Sequence, residues 1–327
     1  YSCKGKRMNT PKNIVLLAGG VGGAKAAKGL YHSTYKEALT VIGNVGDDDN
    51  FHNLWVSPDL DTLVYTLAND VNPVTGWGIN NDSCRILTRL AQFGSDTWMH
   101  LGDLDIATHI FRSELRAKGE SMTAITQKIR QRLGVTVPVL PITNDTVQTR
   151  LNTDDGWVDF QTYFVHRRCE PHVTGITYKG AETAYASQEV LTAIAHADII
   201  VFAPSNPLLS IAPMLAVNEV KDAIDQSTAV KVAISPLING KAVKGPAEKL
   251  LQQMQFPPGN TGIAEFYQDI ADLLIIDSSD SADEQAIESF GLATHATSTL
   301  MKSDSDKTRL MEEVIQVSLK REEVCYA

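Results

Sequence analysis

Ile14-Val15-Leu16-Leu17-Ala18-Gly19-Gly20-Val21-Gly22-Gly23-Ala24-Lys25 decides the fold. Ile14 to Leu17 is short and apolar on both faces, as a strand of a covered parallel sheet is. A glycine-rich turn follows at once, then helix-compatible sequence from Ala24 to about Tyr31. A second apolar strand, Leu39-Thr40-Val41-Ile42, runs into Gly43-Asn44-Val45-Gly46-Asp47-Asp48-Asp49. This is a βαβ unit whose two loops both leave the carboxyl ends of strands, where open α/β sheets place their ligands. The expected class is α/β, a Rossmann-like, mostly parallel sheet with helices on both faces.

Ser57-Pro58-Asp59-Leu60-Asp61 reads as a helix start, with Ser as N-cap, Pro at the first helical position and carboxylates in the first turn. Leu60, Leu63, Val64 and Leu67 form its apolar stripe, and Asp61 points away from it. From about 103 to 134 the pattern is helical in two pieces, broken at Lys118-Gly119 and closed by Gly134. Residues near 147–180 alternate and are rich in Thr, Val, Tyr and Phe, so a β-rich insertion is expected there, with Asp155-Gly156 as a hairpin turn. The α/β rhythm resumes with a helix near Ser187 to His196, the strand Ile199 to Phe202 and the loop Ala203-Pro204-Ser205-Asn206-Pro207. Val230 to Ile234 and Leu273 to Ile276 are further strands, and Ser281-Ala282-Asp283-Glu284 has the form of a capping box. We therefore expect one Rossmann-like domain over residues 11–327, preceded by an unstructured lead-in at 1–10 in which Met8 could be the true start.

Composition narrows the partners. Lys plus Arg number 29 against 39 Asp plus Glu, a formal charge of 29 − 39 = −10 that repels a nucleic-acid backbone. No apolar run approaches the roughly 18 residues of a membrane-spanning helix. Cys3, Cys84, Cys169 and Cys325 are scattered, without metal-site or disulfide spacing, and read as free thiols of a cytoplasmic protein.

With so few cations, a phosphate site must rely on backbone N–H groups, local lysines or a carboxylate-held metal. Gly19, Gly20, Gly22, Gly23 and Lys25 supply close backbone approach and a helix N-terminus. The turn is neither a Walker A loop nor a clean GxGxxG. A dehydrogenase would place one acid after the second strand; here there are three, Asp47, Asp48 and Asp49, with Asp61 a few residues on. Carboxylates beside a phosphate loop suit Mg²⁺ and favour phosphoryl-type transfer over hydride transfer. Ser205 and Asn206 could present donors, Lys244 a cation, and His100 precedes a Gly-Asp turn. His109 and Arg112 on the following helix have bland alternatives, a packed histidine and an exposed ion pair.

Together these strings resemble the 2-phospholactate transferases of coenzyme F420 biosynthesis, the CofD/FbiA family. The resemblance runs nearly end to end: the glycine turn, Asn44-Val45-Gly46-Asp47-Asp48, Ser57-Pro58-Asp59-Leu60-Asp61-Thr62, Gly76-Trp77-Gly78, Leu101-Gly102-Asp103-Leu104-Asp105, Ala203-Pro204-Ser205-Asn206-Pro207 and Lys244-Gly245-Pro246-Ala247. It implies an enzyme that moves a phosphorylated three-carbon acid from its guanosine diphosphate ester to the deazaflavin Fo, releasing GMP, with Mg²⁺ and as a homodimer. It implies Asp61 and Asp47 as catalytic residues, metal ligands among Asp47, Asp48 and Asp61, and Fo contacts from Asp61, His100, Asp103 and Trp77. Whether Asp61 is base or metal ligand stays open, as does the acid transferred. Trp55, Trp77 and Trp98 are candidates for the wall of the deazaflavin ring. The alternatives are a non-catalytic nucleotide-sugar-binding regulatory protein and an NAD-dependent dehydrogenase.

Overall fold

The computed structural model describes residues 11–325; the expected lead-in at 1–10 and Cys3 lie outside them. Seven strands form one all-parallel sheet: β1 (Ile14–Ala18), β2 (Leu39–Gly43), β3 (Val139–Pro141), β4 (Ile199–Phe202), β5 (Val230–Ile234), β6 (Leu273–Asp277) and β7 (Ala293–Thr297). Their spatial order is 7-6-5-4-1-2-3. Read from the other edge this is the Rossmann order 3-2-1-4-5-6 with one strand added. Every residue of β1, β4 and β6 is buried. Side chains alternate across a strand, so burial of consecutive residues means that both faces are covered by helices.

Helix α1 (Gly20–Tyr31) buries Ala24, Ala26, Ala27 and Leu30 and packs against α2 (Pro58–Leu67) and the long helix Asp304–Cys325. It begins four residues earlier than its sequence suggests, because the glycine turn is itself the first helical turn. Gly20 supplies the positive φ of 62° that turns the chain into the helix. A Cβ on Gly22 would run into the Pro204 carbonyl oxygen, so the helix can approach the loop after β4 only with glycine there.

The helical stretch at 103–134 is two helices as expected, preceded by a further one, so that the segment holds α3 (Arg85–Gln92), α4 (Asp103–Ala117) and α5 (Met122–Arg132). The insertion is a three-stranded antiparallel sheet of Gln148–Thr153, Gly156–Asp159 and Val173–Lys179. Thr153 pairs with Gly156, so the two turn residues are Asp154 and Asp155, one position before the expected pair. Gly156 still carries the positive φ, 96°, as the first residue of the return strand. Two expected caps also differ. Ser57 stands at the N-cap of α2 but caps nothing: its hydroxyl donates to Asp48 Oδ2 at 2.7 Å. Ser281 lies inside the 3₁₀ turn Ser278–Asp283, which Asp277 caps by accepting from the Ser279 amide.

Candidate active site

The carboxyl ends of β1, β2, β4 and β5 open into a cavity of 580 Å³, at the point where strand order reverses between β1 and β4. One wall is the glycine turn with Lys25, completed by Ser205 and Asn206 from the loop after β4. Gly20 N is not free for a ligand, because it donates to Asp59 Oδ1 at 2.6 Å. The next two amides of α1, Val21 and Gly22, have no intrahelical acceptor and form the anion-facing end of the helix. Ser205 Oγ donates to Gly19 O at 2.7 Å and fixes the two loops to each other. Asn206 Oδ1 accepts from the Leu208 and Leu209 amides, leaving its buried Nδ2 without an acceptor. Lys244, also in the lining, donates to the Thr75 carbonyl at 2.9 Å. Burial, followed by the charges of Lys244 and Lys307, lowers the Lys25 pKa.

Four carboxylates line the floor: Asp47, Asp59, Asp61 and Asp105. Asp59 also accepts from Asn44 Nδ2 at 2.9 Å, which ties the ends of β1 and β2 together. Burial and the neighbouring charges of Asp59 and Asp48 push Asp47 well above the ordinary carboxylate range, and it shares a hydrogen bond with Asp59. Two buried acids in contact hold a proton between them unless a cation replaces it. Asp47 Oδ1 and Asp61 Oδ2 are buried and accept no hydrogen bond among the described residues. Gln161 from the insertion fixes the acidic loop by donating to Asp47 O at 3.1 Å.

Behind the floor lies a buried polar network. Arg112, 2% exposed, is ion-paired with Asp61 Oδ1 and donates to His109 Nδ1 at 3.1 Å. His109 Nε2 faces Asp105 Oδ1 at 3.5 Å, a long contact, and Tyr65 donates to the same oxygen at 2.9 Å. Burial raises the Asp105 pKa, but the contacts with His109, Tyr65 and Arg112 outweigh it and hold the acid below its ordinary value. Asp61, Asp105 and His109 offer ligand atoms within 4.8 Å of one another.

The apolar wall comes from elsewhere. Phe160 and Phe164 of the insertion stack at 5.3 Å with 12° between their planes, and both line the cavity. Trp77 joins them at the mouth, edge-on to His100 at 6.4 Å, and His100 Nε2 lies 3.3 Å from Cys84 Sγ. Trp55 and Trp98 are not in this wall: Trp55 lies under Arg116 and Trp98 packs on Phe51 and His166.

Of the residues singled out from the sequence, Asp47, Asp61, His100, Trp77, Gly19, Gly20, Gly22, Lys25, Ser205, Asn206 and Lys244 meet in this cavity. Gly23, Asp48 and Asp103 do not line it. Gly23 is packed between Ala18 and Ser205. Asp48 turns back to accept from Ser57 and Trp55. Asp103 accepts from Ser83 Oγ and the amides of Arg85 and Ile86, so it caps α3 instead of facing a ligand. Arg112 pairs with an acid as expected, but in the interior and not on the surface. The reading by motif missed Asp59, Asp105, Phe160 and Phe164 as cavity residues, and His109, for which a packed histidine was the alternative, lines the cavity as well. Asp105, His109 and Arg112 carried a signal, since i, i+4 and i+7 share one helix face.

The family model for 2-phospho-L-lactate transferase CofD matches residues 14–320. A 2-phospho-L-lactate transferase of Methanosarcina mazei is 34% identical over 303 residues, covering 93% of this chain and 99% of its own. A phosphoenolpyruvate transferase of Streptomyces griseus is 36% identical over 304 residues, covering 91% and 95%. Among solved structures, a Bacillus halodurans protein of the upf0052 family superposes with a TM-score of 0.63 at 18% identity, over 93% of this chain and 99% of its own, a likeness of fold alone.

Proposed function

This chain belongs to the 2-phospho-L-lactate transferase CofD family, and from that premise we propose that it moves a phosphorylated three-carbon acid from its guanosine diphosphate ester to the ribityl hydroxyl of the deazaflavin Fo, releasing GMP. The observation that carries the reading is the single cavity in which an anion-binding helix end, a carboxylate floor and a stacked aromatic wall meet. A diphosphate, a charged reaction centre and a flat ring each find a matching surface there.

The new bond joins the hydroxyl oxygen to the phosphorus that bears the acid. The bond from that phosphorus to the bridging oxygen breaks, and GMP leaves with the electron pair. Such a transfer needs charge neutralisation and alignment more than covalent help. Val21 and Gly22 amides, Lys25 and Lys244 neutralise the diphosphate, and Asp61 Oδ2 accepts the hydroxyl proton. Phe160, Phe164 and Trp77 hold the ring and exclude water.

The donor set fits Mg²⁺, since Asp47 offers an unbonded buried oxygen against Asp59, and hard carboxylate oxygens are what this ion takes. Asp47 and Asp59 would hold it, and when bound it supplies Lewis-acid neutralisation of the phosphoryl oxygens. Asp48, committed to Ser57 and Trp55, is not in this set.

The test incubates the protein with Fo, GTP, Mg²⁺ and a guanylyltransferase, offering 2-phospholactate, phosphoenolpyruvate or 3-phosphoglycerate, and records product masses. One Fo conjugate and GMP are expected. Tight binding of a UDP-sugar with no turnover would support the regulatory alternative instead. Asp61→Asn is expected to abolish transfer with an unchanged circular dichroism spectrum. The reading also carries a cytoplasmic homodimer, which sedimentation of the purified chain and fractionation of the cell address. Among the described residues no helix is long and apolar enough to cross a membrane.

A further inference from the structure

The four floor carboxylates are not equivalent, because one internal cation serves only part of the set. Arg112 reaches Asp61 Oδ1 with Nη2, and with Nη1 it donates to His109 Nδ1 at 3.1 Å and to Trp55 O at 3.4 Å. A guanidinium only donates, so Nδ1 accepts and the His109 proton sits on Nε2, facing Asp105. Arg112 therefore engages Asp61 Oδ1 and the single His109 lone pair, on Nδ1, and its positive charge opposes a second cation at the Asp61–Asp105–His109 group. Burial disfavours the charged guanidinium, but the Asp61 charge and hydrogen bond outweigh it and the Arg112 pKa is raised. Asp47 and Asp59 have no such partner: no Lys, Arg or His forms a salt bridge with either among the described residues.

We propose that Arg112 is a positioning residue for the transfer: it fills the place of a metal at Asp61, aims the unbonded Asp61 Oδ2 at the acceptor hydroxyl, and leaves the divalent cation to Asp47 and Asp59. The inference rests on the transferase reading for its kinetic part, and its metal-binding part stands apart from it.

Mn²⁺ binding to the purified full chain, followed by electron paramagnetic resonance, tests the second part. The double variant Asp61→Asn with Arg112→Met removes both charges of the buried pair and spares the fold the cost of one left alone. It should bind Mn²⁺ as the parent does. Arg112→Met alone should gain one further Mn²⁺, lost again on adding His109→Ala. A tenfold or greater loss of Mn²⁺ affinity in the double variant would make Asp61 a ligand and overturn the proposal.

Kinetics test the first part. Arg112→Met and Arg112→Lys should lower kcat by about 100-fold, the scale of a misplaced reacting group, with KM for the diphosphate ester within about threefold. Guanidinium ion at millimolar concentration should restore part of the Arg112→Met rate. Parental kcat in Arg112→Lys and Arg112→Met overturns the positioning role. If the parent itself transfers nothing to Fo, the transferase reading fails while the Mn²⁺ result still decides how the carboxylates divide.

Discussion

Replacing Asp48 by Asn probes the buried acid that faces away from the cavity. Burial pushes this carboxyl up to about 8, against the hydrogen bonds from Ser57 and Trp55. In the unfolded chain the same group ionises near pH 4. Its folded pKa is thus raised: the stability it contributes is fully present below pH 4 and is lost as pH climbs towards 8. Each pH unit inside that window costs about 1.4 kcal/mol, so between pH 5 and pH 7 this one residue removes about 2.7 kcal/mol. Asn is the neutral mimic of the protonated acid. Its carbonyl can accept from Ser57 Oγ and Trp55 Nε1, both of which reach Oδ2, and its amide takes the place of the protonated Oδ1, which has no partner. Urea unfolding of parent and variant at pH 5, 6 and 7, with a chelator present, gives the difference in stability at each pH, from which acids that do not feel the Asp48 charge cancel, while relief of Asp47 in the variant adds in the same direction. The difference should move in favour of Asp48→Asn by about 2.7 kcal/mol from pH 5 to pH 7. A difference that stays flat with pH would show Asp48 to be ionised in the fold and the reasoning to be wrong.

Asp47→Asn should abolish Mn²⁺ binding while Asp48→Asn preserves it; loss in both would restore Asp48 to the metal set. Gly22→Ala should cost about 1–3 kcal/mol in urea unfolding, because the methyl meets main chain that cannot rotate away, and calorimetric titration with GDP should show binding at least tenfold weaker. Unchanged GDP affinity would take the nucleotide out of this turn. Lys244→Ala should raise KM for the guanosine diphosphate ester by about 10- to 100-fold, the worth of one charge-assisted hydrogen bond. Phe164→Ala should raise KM for Fo about five- to tenfold through loss of a stacked face, and no change in steady-state KM would place the ring elsewhere.

Five of the seven strands of the sheet were readable because continuous apolar runs such as Ile14 to Leu17 and Ile199 to Phe202 leave no exposed face to disguise them, whereas the edge strands Val139–Pro141 and Ala293–Thr297 were not. The glycine turn, Asp47, Asp61 and the Ser205-Asn206 loop were readable because each follows a strand at its carboxyl end, where topology alone brings loops together. What escaped was set by direction, not by position along the chain. Asp48 follows Asp47 directly, yet it turns back to Ser57 while its neighbour faces the cavity, and nothing in three consecutive Asp residues marks that parting. Asp103 looked like a ligand contact in the string Leu101-Gly102-Asp103 but caps α3, a role that depends on Arg85 and Ile86 arriving from 18 and 17 residues away. Phe160 and Phe164 escaped because the insertion reaches back to the cavity and the acidic loop, and its distance from those loops in sequence conceals its place in the wall.

The hydrogen bond from Lys244 to the Thr75 carbonyl gives the cavity a fault line. An ammonium has three protons, so this lysine can grip a phosphate and still hold the segment that carries Trp77 across the mouth. In the proposed transfer, donor grip and closure are then one fastening, and whatever slackens it admits solvent to the diphosphate ester. For the transfer proposed above, the characteristic error is accordingly hydrolysis: a wasted ester and free phospho-acid, appearing wherever the rim is loosened and the acceptor hydroxyl must compete with water.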